Sequence, residues 1–120
     1  MTDITERTEA LLTAMGWTRR LNGMWAVDVP KCQGDTVDPA RPTLVWCFRH
    51  AVPWANEQGW LVKTYHQQEQ RTRGGGVSVY HTIRGDLLGF YPRMWHADEP
   101  DRTAELMVMA LSEALEATRD

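Results

Sequence analysis

The sequence predicts an α+β fold in which an antiparallel sheet of three or four strands packs against three helices. One amphipathic helical pattern lies near each end of the chain, and a third lies in the middle. About half of the β-branched and aromatic residues outside these patterns fall between Gly59 and Arg84, which is typical of a hairpin. The order helix, strand, helix, two or three strands, helix favours a sheet with helices packed on it.

The length of 120 residues and the apolar content of 42 % predict one domain with a single core. The acidic start, with Asp3, Glu6 and Glu9, argues against a signal peptide, and no apolar run is long enough to span a membrane. Cys32 and Cys47 show no CxxC spacing and are expected to be reduced thiols. We therefore expect a soluble protein of the cytoplasm that makes no contact with a membrane.

The first helix is predicted over residues 4–15, where apolar residues recur at helical spacing. Asp3 is the expected cap, and Gly16 is the expected stop because glycine readily adopts a left-handed conformation. A strand is predicted over 24–29, where Pro30 ends an alternating apolar pattern.

The second helix is expected to begin near Thr43 and to end before Gly59. Pro53 lies inside this pattern and predicts a kink, because proline removes a backbone donor. Trp46 falls among polar residues and is therefore predicted to be exposed. The predicted buried face consists of apolar residues at helical spacing: Val45, Phe48, Val52 and Ala55.

The central hairpin is predicted as a strand from Trp60 to about Gln67, a charged and glycine-rich loop, and a return strand over 77–83. A further strand is expected over 87–95. It contains Pro92, which cannot donate to a central ladder, so this strand is predicted to lie at the edge of the sheet.

The register of the hairpin is open between two choices that differ by one residue. In one, Leu61 and Tyr65 share the face of Val77; in the other, Val62 and His66 do. We expect the first register because it buries more apolar surface.

The last helix is predicted to begin directly after Asp98, its cap, with Glu99, Pro100 and Asp101 in its first turn. Met109 falls among polar residues of this helix and is predicted to be exposed. The predicted core face is an apolar stripe: Ala104, Met107, Leu111, Ala114 and Leu115.

The loop from Arg71 to Gly76 is the best candidate for a ligand site. Three successive glycines, Gly74, Gly75 and Gly76, can turn backbone amides toward an anion, and Arg71 and Arg73 can clamp a phosphate. This pattern predicts a nucleotide or other phosphate as ligand. The alternative interpretation, which glycine-rich loops favour in general, is a solvated hairpin tip.

The aromatic and cationic residues before the last helix are candidates for a protein interface. Tyr91, Arg93 and Trp95 belong to residue types that are enriched in interfaces, and the predicted exposure of Trp46 and Met109 adds to this surface. The alternative interpretations are a surface that stacks a base or nucleotide ring and an edge strand that covers the core.

No assembled reactive centre is recognisable in the sequence. The four histidines and two cysteines lack the short ligand spacing of a structural zinc site, and no nucleophile motif of the GxSxG type occurs. The middle of the chain is only mildly basic, whereas duplex-DNA binders usually carry a strong basic stripe. We therefore expect no catalytic residue, no metal, no cofactor and no duplex-DNA binding.

Several short motifs occur together in one order. The first helix ends in Met15-Gly16-Trp17, Gly23-Met24-Trp25 follows a short turn, the middle helix leads into the segment 59–63, and an amphipathic helix over 102–118 closes the chain. Together they resemble a family of small bacteriophage and prophage proteins described as an α-β-α sandwich. The resemblance implies this fold and a viral origin, and it implies no catalytic residue.

The sequence therefore predicts a non-enzymatic phage or prophage accessory protein of the bacterial host cytoplasm. We expect it to bind a host protein, such as a component of a defence system, as an inhibitor of the anti-CRISPR type, and to form a homo-oligomer, in the simplest case a homodimer. The alternatives are a small-ligand binder that sequesters a nucleotide, and a nucleic-acid-binding protein.

Overall fold

The computed structural model describes residues 4–26, 36–68, 71–96 and 102–118. It confirms the α+β class, with the strands divided between two antiparallel sheets of three strands each. In chain order the elements are α1 (Ile4–Ala14), β1 (Thr18–Arg19), β2 (Trp25–Ala26), β3 (Thr36–Val37), α2 (Leu44–Trp46), a π-helical turn (Cys47–Ala51), α3 (Val52–Glu57), β4 (Trp60–Gln68), β5 (Thr72–His81), β6 (Leu87–His96) and α4 (Thr103–Thr118).

The first helix ends where the sequence predicts. Gly16 has φ of +86°, the left-handed conformation that favours glycine, and the N–H of Trp17 donates to the carbonyl of Leu12 at 2.9 Å. Leu11 and Leu12 are fully buried and join α1 to the core, on the side where it packs against α4. The predicted cap Asp3 lies outside the described residues.

The strand predicted over 24–29 is present as β2, the middle strand of the small sheet β1-β2-β3. Trp25 pairs with Arg19 on one side and with Val37 on the other. Residues 27–30 of the predicted strand lie outside the described part of the chain.

The middle helical segment runs through α2, the π-helical turn and α3. Its predicted buried face is confirmed at Ala55 and in part at Val52, but it is wrong at Val45 and Phe48. Trp46 is only 4 % exposed, whereas Val45 is 68 % and Phe48 is 52 % exposed. In the π-helical turn the N–H of Val52 donates to the carbonyl of Cys47, five residues back. The wider turn shifts the inward face to residues spaced by four: Cys47, Ala51 and Ala55.

The π-helical turn lies immediately before Pro53, where the sequence predicts a kink. Proline supplies no N–H to the turn before it, and a π-helical turn is one of the recognised ways in which a helix accommodates such a gap. Thr43 caps the start of the segment, because its hydroxyl accepts from the N–H of Trp46 at 3.1 Å. The segment therefore continues past the proline with an altered buried face.

The large sheet has the order β4-β5-β6, and its register is the one that we did not favour. Val62 lies opposite Val79, and Tyr65 lies opposite Gly76. Val77 and Val79 are fully buried, so Val62 shares the core face and Tyr65 points away from it. The register expected from buried apolar surface was wrong because apolar residues occupy both faces of β4, so the surface buried does not distinguish the two registers.

The predicted edge strand is confirmed as β6, which pairs only with β5 among the described strands. Helix α4 packs across β5 and β6 and covers the face that carries Val77 and Val79. Gly89 permits the closest approach, because a Cβ at this position would collide with the carbonyl oxygen of Ala110. The predicted helix cap Asp98 lies outside the described residues.

The buried residues form one cluster that joins both sheets and the helices. Trp17, Trp25 and Trp60 enter it, and Trp54 packs edge-to-face on Trp60 with ring centroids 5.3 Å apart. Within the described ranges, no helix combines the length and the apolar content needed to cross a membrane.

The contact at Gly89 provides a test of the packing between α4 and β6. The Gly89→Ala variant should lower the free energy of unfolding by about 1–3 kcal/mol, because the obstructing atom belongs to the backbone of α4. Gly74→Ala is the matched control, since its added methyl would collide mainly with the side chain of Met94, which can move aside, and would meet backbone at the carbonyl oxygen of Arg93 only at 3.2 Å. Urea denaturation of both variants measures the difference, and equal losses would contradict this account.

Candidate functional site

The large sheet has an inner face, which α4 covers, and an outer face on the opposite side. Side chains along a strand alternate between the two faces, and residues directly opposite each other in the register share a face. Because Val77 and Val79 point inward, Ser78 and Tyr80 point outward. The register then assigns further residues to the outer face, namely Leu61, Lys63, Tyr65, Gly74, Gly76, Leu87, Phe90, Pro92 and Met94.

The outer face is apolar, although it has no covering layer among the described elements. Lys63 is the one charged residue among its described side chains, and its ammonium lies over the ring of Tyr80, 5.4 Å from the centroid. An antiparallel sheet with one solvated face normally alternates apolar and polar residues. Here the exposed fractions of five large apolar side chains lie between 43 % and 54 %: Leu61, Tyr65, Leu87, Phe90 and Met94.

Two buried glycines form the floor of this face. A Cβ on Gly76 would collide with the phenol ring of Tyr65, and one on Gly74 would collide with the sulfur of Met94. The absence of side chains at these two positions lets Tyr65 and Met94 lie flat across β5. At this end of the sheet, Tyr65, Pro92 and Met94, together with Gly75 and the exposed Arg93, border an open hollow of about 350 Å³.

The predicted phosphate loop is not a loop. Gly74, Gly75 and Gly76 are residues of β5, and each pairs with both β4 and β6. Their amides therefore belong to the ladders of the sheet and do not form an anion cradle. Arg73 also lies in β5, and Arg71 lies just before it. The sequence suggested a turn because glycine runs are usual in turns, whereas here the glycines make room for neighbouring side chains.

The residues predicted to form a protein interface do not form one surface. Tyr91 lies opposite Val77, faces inward and packs against the core, whereas Arg93 lies opposite Gly75 and is exposed. Met109 of α4 is half-buried, so its predicted exposure is wrong. Trp95 pairs with Arg73 near the end of β6.

The predicted exposure of Trp46 is also wrong, because this residue belongs to a buried aromatic cluster. Its ring meets Trp17 edge-to-face at a centroid distance of 6.1 Å, and Trp17 meets His50 at 5.0 Å. Among the described residues, the buried indole N–H of Trp46 has no hydrogen-bond partner. Trp46 therefore contributes packing between the middle helical segment and the first part of the chain.

A second, smaller apolar patch lies on the middle helical segment, where the shifted buried face leaves Leu44, Val45 and Phe48 exposed. Together with Arg49 they line an open depression of about 460 Å³. We call these four residues the helix patch. The helix patch has three exposed large apolar side chains, whereas the outer face has five. It also lies on a single short segment of the chain.

The described residues contain no group of three or more His, Cys, Asp or Glu side chains that could hold a metal ion. His66 and His81 lie at opposite ends of the β4–β5 ladder, opposite Gly75 and Trp60. The Nδ1 atom of His81 accepts from the N–H groups of Ile83 and Arg84. Its role in the described structure is therefore to hold the turn between β5 and β6.

Comparison of the chain with protein-family models, with curated proteins and with solved structures found no match.

The burial of Trp46 predicts a large loss of stability when its ring is removed. Trp46→Ala should lower the free energy of unfolding by about 3–5 kcal/mol, because it leaves a cavity beside Trp17. The neighbouring Val45→Ala is the matched control and should change stability by less than about 0.5 kcal/mol, because Val45 is largely exposed. Urea denaturation distinguishes the two, and a Trp46→Ala variant as stable as the control would place Trp46 outside the core.

The buried thiol of Cys47 predicts protection from alkylation and a loss of stability in alkali. Burial raises the pKa of Cys47 from its ordinary value of 9.0 to about 12. The unfolded chain therefore loses this proton first, so stability that is fully present below pH 9 falls by up to about 1.4 kcal/mol per pH unit as the pH rises toward 12. In a Cys32→Ser background, iodoacetamide should modify Cys47 only after unfolding.

The control for the pH dependence is Cys47→Ala in the same background, compared by urea denaturation between pH 8 and pH 10.5. The difference in stability between the two proteins should stay constant up to pH 9 and then shrink. A difference that does not change with pH, or rapid alkylation of the folded protein, would show that the thiol is accessible to solvent.

Proposed function

We propose that this chain is a non-enzymatic protein-binding module whose outer sheet face docks against a protein partner. The observation that carries the proposal is the apolar character of a face that α4 leaves uncovered. Three strands spaced by ~4.8 Å, over some eight residues of ~3.3 Å each, give this face an area of roughly 400 Å² in plan. Exposed apolar patches of about this size are often functional on soluble proteins.

A protein partner suits this face better than a nucleic acid or a nucleotide. Phosphate recognition needs several cations, whereas the register assigns one described cation, Lys63, to the outer face, and Arg93 lies at the border of its hollow. Tyrosine, phenylalanine and methionine, by contrast, are enriched in protein interfaces. Tyr65, Phe90 and Met94 would therefore act as the apolar anchors of the contact, surrounded by more polar residues at the ends of the strands.

We propose further that the partner is a bacterial host protein and that the chain is a phage or prophage accessory protein, for example an inhibitor of a host defence system. The support for this part is the resemblance of the short motifs to small phage proteins. The outer face supports a binding role of this kind, because an inhibitor that acts by contact needs an accessible docking surface and no reactive centre.

The test is the capture of a host protein by the immobilised chain, compared between variants of the two apolar patches. The double variant Phe90→Ser/Met94→Ser should lose the captured protein, because it removes two anchors of the outer face. Both side chains are about half exposed, so the melting temperature should stay within a few degrees of the unchanged chain.

The matched control is Phe48→Ser, which removes an exposed aromatic ring from the helix patch. This variant should retain the captured protein with unchanged affinity in calorimetry. Loss of capture by Phe48→Ser, with retention by the double variant, would move the docking surface to the helix patch and refute the proposed role of the outer face.

A further inference from the structure

Strand β4 is an edge of the large sheet, and every second residue along it turns its backbone amide away from β5. The N–H of Thr82 donates to the carbonyl of Gly59 at 2.8 Å, which marks this opposite pair as hydrogen-bonded. Because hydrogen-bonded and non-bonded pairs alternate in an antiparallel ladder, Val62, Thr64 and His66 direct their N–H and C=O groups outward.

No other described strand pairs with this edge, and half of β4 is exposed on both faces. Helix α3 contacts β4 where Trp54 meets Trp60, at the start of the strand. Four successive residues further along are exposed: Lys63, Thr64, Tyr65 and His66. This second half of β4 therefore offers a row of backbone donors and acceptors that another strand can reach.

The two edges of the sheet differ in how they are protected against pairing. In β6, Pro92 has no N–H, the outward N–H of Phe90 donates to a carboxylate oxygen of Glu113 at 3.2 Å, and a register shift at Val79/Tyr80 interrupts the ladder. These are devices that prevent edge-to-edge association. In β4, the exposed Lys63 is the one such device among the described residues: there is no proline, and the ladder with β5 continues over nine residue pairs without a shift.

We propose that β4 pairs antiparallel with β4 of a second copy of this chain, about a twofold axis at Thr64. Thr64 is the midpoint of Trp60–Gln68, so a pairing centred there engages all nine residues and forms about ten backbone hydrogen bonds. The strand that covers the edge is therefore β4 of the second copy, whose length and sequence match those of the strand it pairs with.

The side chains favour this register over its neighbours. Centred at Thr64, the pairing places Lys63 opposite Tyr65 of the second copy, an arrangement that allows a cation–π contact, and it places the two Thr64 side chains opposite each other, a favourable cross-strand pair. Centred at Lys63, it would set two lysines directly opposite each other, which is unfavourable. Centred at Tyr65, it would leave the first residues of β4 unpaired.

The product is a continuous sheet of six strands whose two outer faces lie side by side. Pairing through the edge engages the backbone of β4 together with Lys63 and Tyr65, and it leaves Phe90 and Met94 of the outer face open for a partner. The inference does not rest on the proposed function, and each can fail without the other.

The test is sedimentation velocity of the full chain over a concentration series. The unchanged chain should dimerise, and Thr64→Pro should be monomeric at concentrations where the matched control Thr64→Val remains a dimer. Thr64→Pro removes a donor that points away from β5, so it breaks no bond of the sheet and the dilute protein should melt at an unchanged temperature.

A second arm tests the twofold axis itself. Thr64→Lys and Thr64→Glu should each dimerise about fivefold more weakly, because like charges then meet across the axis, and an equimolar mixture of the two should recover the dimer. A mixture no more dimeric than either variant alone, or an unchanged chain that is monomeric at every concentration, overturns the proposal. The proposal is also overturned if Phe90→Ser loses the dimer while Thr64→Pro retains it, because that result would assign the interface to the outer face.

Discussion

The contact between α4 and the inner face of the large sheet is the constraint on which the other features depend. Val77 and Val79 are fully buried beneath this helix, and Gly89 lets β6 come against the backbone of Ala110. Since side chains alternate along a strand, burying these two valines fixes which residues of β4 and β6 point the other way. The apolar outer face is therefore a consequence of where α4 packs.

Features that depend on local pattern were predictable from the sequence. The α+β class, the extent of α1 and the edge position of β6 follow from apolar periodicity, from Gly16 as a helix stop and from Pro92 as a residue that cannot donate. The structure shows why this proline is tolerated. The backbone nitrogen of Pro92 points away from β5, so the missing N–H costs the β5–β6 ladder no hydrogen bond. These predictions succeeded because each signal acts within a few residues of its own position.

Features that depend on the whole fold were not predictable in the same way. The buried face of the middle helix was wrong at Val45 and Phe48 because a periodicity of 3.6 residues assumes an unbroken α-helix, whereas the π-helical turn before Pro53 brings Trp46 and Cys47 inward. The hairpin register was wrong because β4 carries apolar residues on both faces. The glycine run was wrongly predicted to be a loop. Its glycines leave space for the side chains of Tyr65 and Met94, which lie on neighbouring strands, and a local sequence pattern does not show such neighbours.

The outer face and the open edge meet on β4, and this coincidence argues for a role in assembly. Lys63 and Tyr65 lie on the outer face, and Thr64 between them presents its backbone at the edge. An exposed edge strand whose main protection is a single lysine remains open to pairing with another strand unless something covers it. The opposite edge shows that the same sheet carries such protection, in Pro92 and in the bond from Phe90 to Glu113. The difference between the two edges is most simply explained if β4 is covered by pairing, while the outer face stays available for a partner.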